Sequence, residues 1–493
     1  MSKFYVTTSI AYINGEPHIG YGQECLGADV IARYHRDIKK DDTFFLTGAD
    51  EHGFSVQMKA EQAGMKPRPF VESLIGKFLG LKDQLNLSYN YYIRTSSEEH
   101  KRKVVELWQK AYDNGFIYKK AYSAVYCVGC ESMLKKSDLV DGKCPNHPSL
   151  VPEIVEEENW FFKLSEFQNK LLDYYKKNPT FVAPDFRFNE IKRLVESGLE
   201  DVSISRPKEK LSWGIEVPND PTHVMYVWFD ALTNYLYPEK YWPADLHVIG
   251  KDILRFHAAL WPAMLMAAGY TDDRLPRKIH VHGFITVEGQ KISKTLGNVI
   301  KPQDLVDVFG IDATRYLMLR ELSFSQDSDF SWSRMKERYN SDLVNNLGNL
   351  LQRTLSMINK YFDESQKSKV KSQNDHSKHK RLSIEKEVET LEYSSALQKI
   401  MEFCTENNQY IAEKQPWVLA KEGKTEELAE VLRHVYNSLA MIADALISFT
   451  PETAEKMKKQ LETFSPEPLF PRLEEKISNG QDADISPVKT QKP

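Results

Sequence analysis

Residues 4–53 read FYVTTSIAYINGEPHIGYGQECLGADVIARYHRDIKKDDTFFLTGADEHG, and the pattern in this stretch sets the architecture of the chain. Residues 4–10 are rich in β-branched and aromatic side chains, which is typical of a strand. Over residues 20–39, apolar side chains recur at every fourth position, which predicts one face of an amphipathic helix. Residues 43–47 predict a second strand, so the stretch forms a β-α-β unit.

A β-α-β unit implies a parallel sheet, and the ligand site of such a sheet lies beyond the carboxyl ends of its strands. His18 and Asp50 both follow predicted strands and therefore fall at this edge. A second strand-rich block begins near His223 and includes residues 246–250 and 278–283, which predicts the other half of the sheet. The sequence therefore predicts an α/β domain built from two separated halves.

The segment between these halves carries a cysteine cluster, many prolines and irregular short runs, which favours an inserted domain. After residue 339, apolar side chains appear only at helical spacing, which predicts a helical bundle. Within it, the polar, lysine-rich residues 363–381 predict an exposed connection. The predicted boundaries are residues 1–120 and 222–338 for the halves of the α/β domain, 121–221 for the insertion, 339–475 for the bundle and 476–493 for a disordered tail.

The composition excludes several classes of protein. The chain has 493 residues and a mass of 57.0 kDa, enough for about three domains with cores of their own. Hydrophobic residues make up 41% and charged residues 27%, which excludes collagen-like, wholly disordered and membrane-spanning proteins. The first residues lack the apolar core of a signal peptide, so a cytoplasmic location is expected. With a net charge of -5, any contact with nucleic acid must depend on local patches.

Two short motifs suit a nucleotide. His18 precedes the first predicted helix, where backbone N–H groups and the helix dipole favour a phosphate, and Gly20 lets a flat base approach the backbone. Taken alone, such a histidine is more often a turn residue without a catalytic role. Lys291 and Lys294 lie in a polar loop after the last predicted strand, and such a pair suits a polyphosphate. The alternative interpretation is that the two lysines lie on a solvent-exposed surface and bind no phosphate.

Four residues between positions 127 and 147 have the spacing of a zinc site. Cys127 and Cys130 form one pair and Cys144 and His147 another, and three thiolates with one imidazole satisfy tetrahedral Zn²⁺. The alternative is a reduced cluster without metal. The two remaining cysteines are isolated and are predicted to be core residues.

Together and in this order, the histidine and lysine motifs resemble the two signatures of class I aminoacyl-tRNA synthetases. The surrounding sequence resembles the methionyl-tRNA synthetase family in particular, over nearly the whole chain. The stretches that carry this resemblance are residues 11–15 (AYING), 48–53 (GADEHG), 226–231 (YVWFDA), 250–257 (GKDILRFH) and 282–284 (HGF). Tyr21 stands where the first signature usually has a second histidine, and Ile292 and Thr295 are mild replacements in the second signature.

The resemblance implies a Rossmann-type catalytic domain and a reaction in two steps. The carboxylate of L-methionine attacks the α-phosphate of ATP and pyrophosphate leaves, and the methionyl group then passes to the 3′ end of tRNA(Met). The substrates supply the attacking oxygens, so the enzyme positions them and stabilises charge, with Mg²⁺ on the phosphates. The implied catalytic residues are His18, Lys291 and Lys294. The implied ATP-binding residues are His18, Gly20, Asp252, Lys291, Ser293 and Lys294.

The resemblance also implies which residues recognise methionine and tRNA. An apolar, polarizable slot suits the methionine side chain, and a carboxylate suits its ammonium group. The implied methionine-binding residues are Ile10, Tyr12, Asp50, Trp228, Ala231, Tyr235, Ile253 and His257, of which Asp50 binds the ammonium group. The implied anticodon-binding residues are Asn349, Arg353 and Trp417. Core packing, helix capping and surface solvation are the alternative interpretations of these side chains.

In this family the zinc knuckle is structural and lies in the inserted domain that carries the tRNA 3′ end. Many bacterial relatives add a dimerising tRNA-binding domain where this chain has a polar tail, so a monomer is expected. Two other functions stay open: a class I synthetase for another amino acid, and a catalytically silent, zinc-containing tRNA-binding protein. The insertion is too small for the editing domain of the isoleucine, leucine and valine enzymes, whereas its size does not exclude the cysteine enzyme. The paired lysines argue against a silent binder.

Overall fold

The computed structural model describes residues 2–127, 129, 132–134, 139–147, 149–292, 297–371 and 382–473. Cys130, Ser293, Lys294 and the predicted tail at 476–493 lie outside these residues, as does the side chain of Lys291. Among the helices that are described, none combines the length and the apolar composition that a membrane span requires.

The first part of the chain alternates strands and helices. Its elements are Lys3–Thr8 (β1), Ala11–Tyr12 (β2), Ile19–Arg33 (α1), Asp42–Asp50 (β3), Phe54–Gln62 (α2), Pro67–Leu79 (α3), Leu81–Gln84 (α4), Tyr91–Arg94 (β4) and Glu98–Asp113 (α5). A π-helical turn at Tyr34–Ile38 continues α1, so the helix predicted over residues 20–39 is confirmed. The second predicted strand is confirmed as β3, which continues as far as Asp50.

The segment predicted as an insertion begins with a long antiparallel hairpin. Its elements are Ile117–Cys127 (β5), Ser132–Leu134 (β6), Glu153–Phe162 (β7), Gln168–Lys177 (α6), Val182–Ala183 (β8), Asp185–Glu196 (α7), Val202–Ser203 (β9), Ser205–Pro207 (β10), Glu216–Val217 (β11) and Asp220–Met225 (β12). One sheet has the order β6-β5-β7-β9, and a second has the order β10-β12-β11. Both are antiparallel, which sets this segment apart from the β-α-β region.

The next part of the chain returns to alternating strands and helices. Its elements are Val227–Leu232 (α8), Leu246–Gly250 (β13), Trp261–Ala267 (α9), Ile279–His282 (β14), Ile285–Val287 (β15), Gln290–Lys291 (β16), Pro302–Phe309 (α10), Ile311–Glu321 (α11), Ser328–Phe330 (β17) and Trp332–Arg338 (α12). The block predicted to begin near His223 starts with β12, which belongs to a separate sheet. Only β13 and β14 of that block join the main sheet, as predicted for residues 246–250 and 278–283.

The main sheet has seven parallel strands. Its order is β2-β3-β1-β13-β14-β8, with β4 paired to β3. The chain passes from β1 to β3 on one side and from β13 to β14 on the other, so the direction of winding reverses between β1 and β13. Such a reversal opens a crevice at the carboxyl ends of the strands. β8 lies within residues 121–221, so the segment predicted as an insertion contributes one strand to this sheet, and the domain boundaries stay a prediction.

Helices make up the rest of the described chain. A π-helical segment, Tyr339–Gly348, leads into Asn349–Tyr361 (α13), Ser368–Lys371 (α14), Glu385–Glu389 (α15), Tyr393–Lys414 (α16), Pro416–Lys421 (α17), Thr425–Leu446 (α18) and Pro451–Thr463 (α19). The predicted helical bundle is confirmed. The exposed connection predicted over residues 363–381 is wrong at α14, because this helix packs against α18 and buries Val370 completely.

A buried arginine ties the bundle to the helix that begins with the histidine motif. The guanidinium of Arg315, on α11, lies 2.9 Å from the carboxylate of Asp29 on α1. It also donates to the carbonyl oxygens of Phe449 at 2.7 Å and Ser448 at 3.1 Å, between α18 and α19. Buried charges are tolerated when they are paired and hydrogen-bonded in this way. The position of α1 is therefore set by the bundle as well as by the sheet.

Candidate active site

His18 caps the helix that follows the first strands. Its backbone is extended, with φ −115° and ψ 172°, and its Nδ1 accepts the N–H of Gly20 at 3.0 Å. A ring nitrogen that accepts a hydrogen bond carries no proton, so the neutral imidazole holds its proton on Nε2. The cap thus prepares Nε2 to donate to an anion at the N-terminus of α1, where the helix dipole also favours negative charge.

The packing of the His18 ring requires the glycine two residues later. A Cβ atom at position 20 would lie 2.8 Å from Cε1 and 2.9 Å from Nδ1 of the imidazole. Any side chain at Gly20 would therefore push the ring away from its cap. This close approach gives Gly20 a local structural role beside its predicted contact with the nucleotide.

The lysine motif leads back to the start of α1. Lys291 ends β16, which pairs with β15. Beyond the loop, the carbonyl oxygen of Ile300 accepts the N–H of Ile19 at 2.9 Å. The ammonium group of Lys301 lies 2.6 Å from the carboxylate of Glu16. These contacts hold Ile300 and Lys301, which follow the lysine loop in the chain, next to the turn that carries the predicted catalytic histidine.

A buried ion pair that sequence reasoning missed joins α1 to the end of β14. The Nε2 atom of His282 lies 2.8 Å from Glu24 Oε2, and its Nδ1–H donates to the carbonyl oxygen of Gly283 at 2.8 Å. Burial alone would lower the pKa of His282, but these two acceptors raise it above its ordinary value. The other oxygen of Glu24 accepts the N–H and the hydroxyl of Ser9 at 2.7 and 2.6 Å. The pair therefore holds the carboxyl ends of β1 and β14 against α1.

The carboxylate predicted to bind the ribose lies at the same edge. Asp252 is exposed in a 3₁₀ turn, Lys251–Ile253, that directly follows β13. The ammonium group of Lys251 is bound by Asp327 at 2.5 Å. Because β1 and β13 are parallel neighbours, Asp252 and His18 lie at the same end of the sheet, on either side of the strand reversal.

The residues implied for the methionine slot converge. Half-buried side chains that pack against one hydrophobic cluster are Ile10, Tyr12, Trp228 and Ile253. Tyr235 belongs to that cluster, and Ala231 and His257 are buried as well. This burial fits both a substrate slot and the alternative of core packing, so the polar contacts decide what the region can bind.

His257 is held as a neutral ring among these side chains. Its Nδ1 lies 3.0 Å from the carbonyl oxygen of Ile253, which only accepts, so Nδ1 carries the proton. Its Nε2 then accepts the hydroxyl of Tyr235 at 2.7 Å. Burial lowers the pKa of His257 to about 4, so the ring is uncharged at neutral pH. The slot therefore offers polarizable rings without a charge, which suits a thioether.

Trp228 is stacked on a residue that sequence reasoning missed. Its ring lies parallel to that of Phe256, with 3.9 Å between the centroids and 8° between the planes. The ring of His257 makes an edge contact with Trp228, with 6.1 Å between the ring centroids and 82° between the planes. The guanidinium of Arg255 lies over Phe256, 4.6 Å from its centroid. The only sequence signal for Phe256 was its place within residues 250–257, which carry the family resemblance.

Asp50 is the last residue of β3 and is 8% exposed. It is in register with Tyr12 of β2, and the N–H of Ile13 donates to its carbonyl oxygen at 3.0 Å. These backbone contacts place Asp50, predicted to bind the ammonium group, next to Tyr12, one of the residues implied for the slot.

A buried aspartate on α8, which sequence reasoning also missed, links this helix to the residues that follow β3. Asp230, on α8, has one oxygen 2.6 Å from Nδ1 of His52 and the other 2.6 Å from Nε2 of His100. Burial would raise the pKa of Asp230, but the two histidines lower it to about 2. His52 follows β3, and Asp230 lies between two predicted slot residues of α8. Sequence reasoning had no signal for a contact between residues 178 positions apart.

Three of the four predicted metal ligands converge. The ligand atoms of Cys127, Cys144 and His147 lie within 4.8 Å of one another, and the two sulfurs are 3.8 and 3.9 Å from His147 Nδ1. Tetrahedral zinc, with bonds of about 2.3 Å to sulfur and about 2.1 Å to nitrogen, separates such atoms by about 3.6 Å. A Cβ atom at Gly129 would lie 2.5 Å from the imidazole, so this glycine lets His147 approach. The described residues fit a tetrahedral metal ion, whose fourth predicted ligand is Cys130.

Two of the three predicted anticodon residues lie in contact. The guanidinium of Arg353 is 5.2 Å from the centroid of the Trp417 ring, which is half-buried near the start of α17. Asn349 is exposed at the first position of α13, four residues before Arg353, and therefore lies on the same helical face. Arg353 and Trp417 thus form a polar and aromatic contact on the bundle, and Asn349 lies one turn away on the same face of α13.

Comparisons with known proteins agree with this geometry. A family model described as "tRNA synthetases class I (M)" matches residues 4–150 and 147–355. The methionine–tRNA ligase of Thermotoga maritima is 42% identical, over 96% of this chain and 77% of the relative. That of Rickettsia conorii is 41% identical, over 96% of this chain and 95% of the relative. A structure of Mycobacterium tuberculosis methionyl-tRNA synthetase with methionyl-adenylate has a TM-score of 0.86 and 36% identity, covering 96% of this chain and 100% of that one.

The family match spans both halves of the parallel sheet and the start of the bundle, and the relatives match almost the whole chain. The predicted resemblance is therefore confirmed by sequence and by fold. These similarities show that the chain belongs to the methionyl-tRNA synthetases of class I.

Proposed function

We propose that the chain joins L-methionine to tRNA(Met) in two steps, with ATP, at the carboxyl edge of its parallel sheet. Its membership of the methionine–tRNA ligases supports the reaction. A methionyl-tRNA synthetase of the same fold has been solved with methionyl-adenylate, the product expected of the first step. The observation that supports the proposal for this chain is the hydrogen bond between Ile19 and Ile300, which holds the segment after the lysine loop beside the turn that His18 caps.

In the first step, the chain neutralises charge on the phosphates of ATP. His18 donates from Nε2 to a phosphate oxygen, and Lys291 and Lys294 bind the phosphates that leave as pyrophosphate. Further neutralisation comes with the Mg²⁺ that ATP carries. Asp252 binds the ribose hydroxyls and Gly20 lets the base approach the backbone, so the α-phosphate is held for attack by the methionine carboxylate.

Methionine is held by one charged and several apolar contacts. Asp50 binds the ammonium group, while the stacked ring of Trp228 and the neutral pair of Tyr235 and His257 contact the thioether side chain. The uncharged state of His257 supports this assignment, because a cationic wall would be unfavourable beside an apolar substrate. Ile10, Tyr12, Ala231 and Ile253 complete the slot.

The reaction itself can be tested through its products. Purified protein, supplied with ATP, methionine and tRNA(Met), should release AMP and pyrophosphate in amounts equal to the methionyl groups attached to tRNA. Hydrolysis of ATP without methionyl-tRNA would contradict the proposed function. A catalytically silent tRNA-binding protein would bind tRNA(Met) and release neither product. The monomeric state and the cytoplasmic location stay predictions.

Zinc is proposed to stabilise the knuckle through Cys127, Cys130, Cys144 and His147. Elemental analysis of the purified protein should give about one zinc per chain, since four such ligands complete a closed structural site. Cys127→Ala and His147→Ala should each lose the metal and lower the melting temperature. The matched control is Cys404→Ala, which removes a buried thiol from the bundle and should retain zinc. Parent protein without zinc would refute the site.

Anticodon binding is proposed for Asn349, Arg353 and Trp417. Base stacking on an aromatic ring is worth about 1 to 3 kcal/mol, so Trp417→Ala should lower the efficiency of tRNA charging by roughly one to two orders of magnitude. Methionine-dependent ATP–pyrophosphate exchange needs no tRNA and should be unchanged. Trp417→Phe keeps an aromatic ring for stacking and should lower the efficiency of tRNA charging less than Trp417→Ala. A parallel fall in exchange, charging and melting temperature would instead identify Trp417 as a core residue.

A further inference from the structure

The hydroxyl of Tyr21 is directed into the protein. Tyr21 lies in the first turn of α1, at the position where related sequences usually have a second histidine. Its oxygen lies 3.0 Å from Thr47 Oγ1 and 3.3 Å from the carbonyl oxygen of Gly48, both on β3. Its ring makes an edge contact with Phe78, with 6.0 Å between the centroids. The side chain therefore fills the space between α1, β3 and α3.

Three hydroxyl groups form a directed chain at this point. A carbonyl oxygen only accepts, so the Tyr21 hydroxyl donates to Gly48 and accepts from Thr47. Thr47 Oγ1 in turn lies 2.7 Å from the hydroxyl of Thr8 and accepts from it. Burial raises the pKa of Tyr21 well above its ordinary value, so the phenol keeps its proton. These hydrogen bonds join the first turn of α1 to the neighbouring strands β3 and β1.

This hydrogen-bonded chain lies near two predicted site residues, His18 in the turn of α1 and Asp50 at the end of β3. Tyr21 follows Gly20 directly, in the same turn that His18 caps. Thr8 is the last residue of β1, and Thr47 lies on the buried end of β3 shortly before Asp50. A shift of the first turn relative to these strands would therefore move the imidazole relative to the ammonium-binding carboxylate.

We propose that Tyr21 is a positioning residue for adenylate formation: through Thr47 and Thr8 it holds the turn that carries His18, and it does not contact ATP. The proposal rests on the proposed function, because the group that it positions is the predicted phosphate donor. It also gives the tyrosine a role that differs from a direct nucleotide contact of the family's histidine. Charge stabilisation at the N-terminus of α1 then depends on a single histidine.

A double-mutant cycle tests this role. Tyr21→Phe removes only the phenolic hydroxyl, and Thr47→Val removes the next group in the chain. Each should lower kcat for methionine-dependent ATP–pyrophosphate exchange about five- to tenfold. Without the hydrogen bond, the turn that carries His18 is held less firmly, and its imidazole is less often aligned with the phosphate. The KM values for ATP and methionine should stay at the parental level. The double variant should be no slower than either single variant, because both substitutions break the same chain.

Tyr92→Phe is the matched control. Tyr92, on β4, packs against the same hydrophobic clusters as Tyr21, and its hydroxyl has no hydrogen-bond partner among the described residues. Its removal should leave kcat unchanged. Multiplying losses in the double variant, a raised KM for ATP in Tyr21→Phe, or a parental kcat in Tyr21→Phe would each overturn the proposal. A parent protein without exchange would instead overturn the proposed function and this role with it.

Discussion

Asp50→Asn should lower kcat/KM for methionine in ATP–pyrophosphate exchange by roughly thirtyfold to several thousandfold. The substitution keeps the shape of the side chain but removes the charge that is proposed to bind the substrate's ammonium group. Asp50 is 8% exposed, so little water replaces the lost carboxylate. Losing one partner of a buried charged pair costs about 2 to 5 kcal/mol, and each 1.4 kcal/mol is a factor of about ten. The loss should appear in KM for methionine.

The control for this variant lies at the other end of the same strand. Asp42 is the first residue of β3 and pairs with Lys240 at the surface, at 3.0 Å. Asp42→Asn should leave exchange at the parental level, since surface ion pairs contribute little. The KM for ATP should be unchanged in both variants. A parental KM for methionine in Asp50→Asn would show that another group binds the ammonium, and the assignment of Asp50 would be wrong.

His18→Asn should lower the rate of methionyl-adenylate formation by about 10² to 10³, the usual effect of removing one donor that meets charge in a transition state. Asparagine is among the best N-cap residues, so its side chain replaces the cap on the Gly20 N–H that the imidazole supplies. The shorter side chain lacks the donor at Nε2. The melting temperature and the KM for methionine should therefore change little, while the single-turnover rate falls.

His18→Ala separates the cap from the chemistry. It should slow adenylate formation as much as His18→Asn and should also cost about 1 kcal/mol of folding stability, because the N-cap is lost. If His18→Asn formed adenylate at the parental rate, the negative charge on the phosphate would be stabilised by groups other than the imidazole. His18 would then be only the cap of α1, which is the alternative that its sequence motif left open.

Elements that repeat a short pattern could be predicted from the sequence. A helix was predicted from the apolar period over residues 20–39, and two strands were predicted from the β-branched and aromatic runs at 4–10 and 43–47. All three elements are confirmed, because such patterns follow from the face that each element buries. By contrast, β8 could not be predicted, because a strand of two residues shows no periodic pattern. It belongs to the main sheet only through its pairing with β14. Val370 was predicted to be exposed from its polar neighbours, but α18 covers it.

Candidate site residues could be named from the sequence where they stand in contiguous motifs. His18 and Asp50 could be named because each follows a predicted strand at the ligand edge. The carboxylate of Asp230 and its two histidine partners come from three separate elements, and nothing in the local sequence indicates their contact. The ion pair of Glu24 with His282 is of the same kind, since its partners lie 258 positions apart. Such pairs depend on the packed fold rather than on local pattern.

The central claim is that the slot around Trp228 and His257 binds methionine for activation by ATP. ATP–pyrophosphate exchange, measured with methionine, leucine, isoleucine, valine and cysteine supplied one at a time, tests it most directly. An apolar slot discriminates between substrates that differ by small apolar groups by a factor of about 10 to 200 in kcat/KM. The kcat/KM for methionine should therefore exceed that for each other amino acid at least about tenfold. Equal or faster exchange with any other amino acid of the panel, or none with methionine, would contradict the claim.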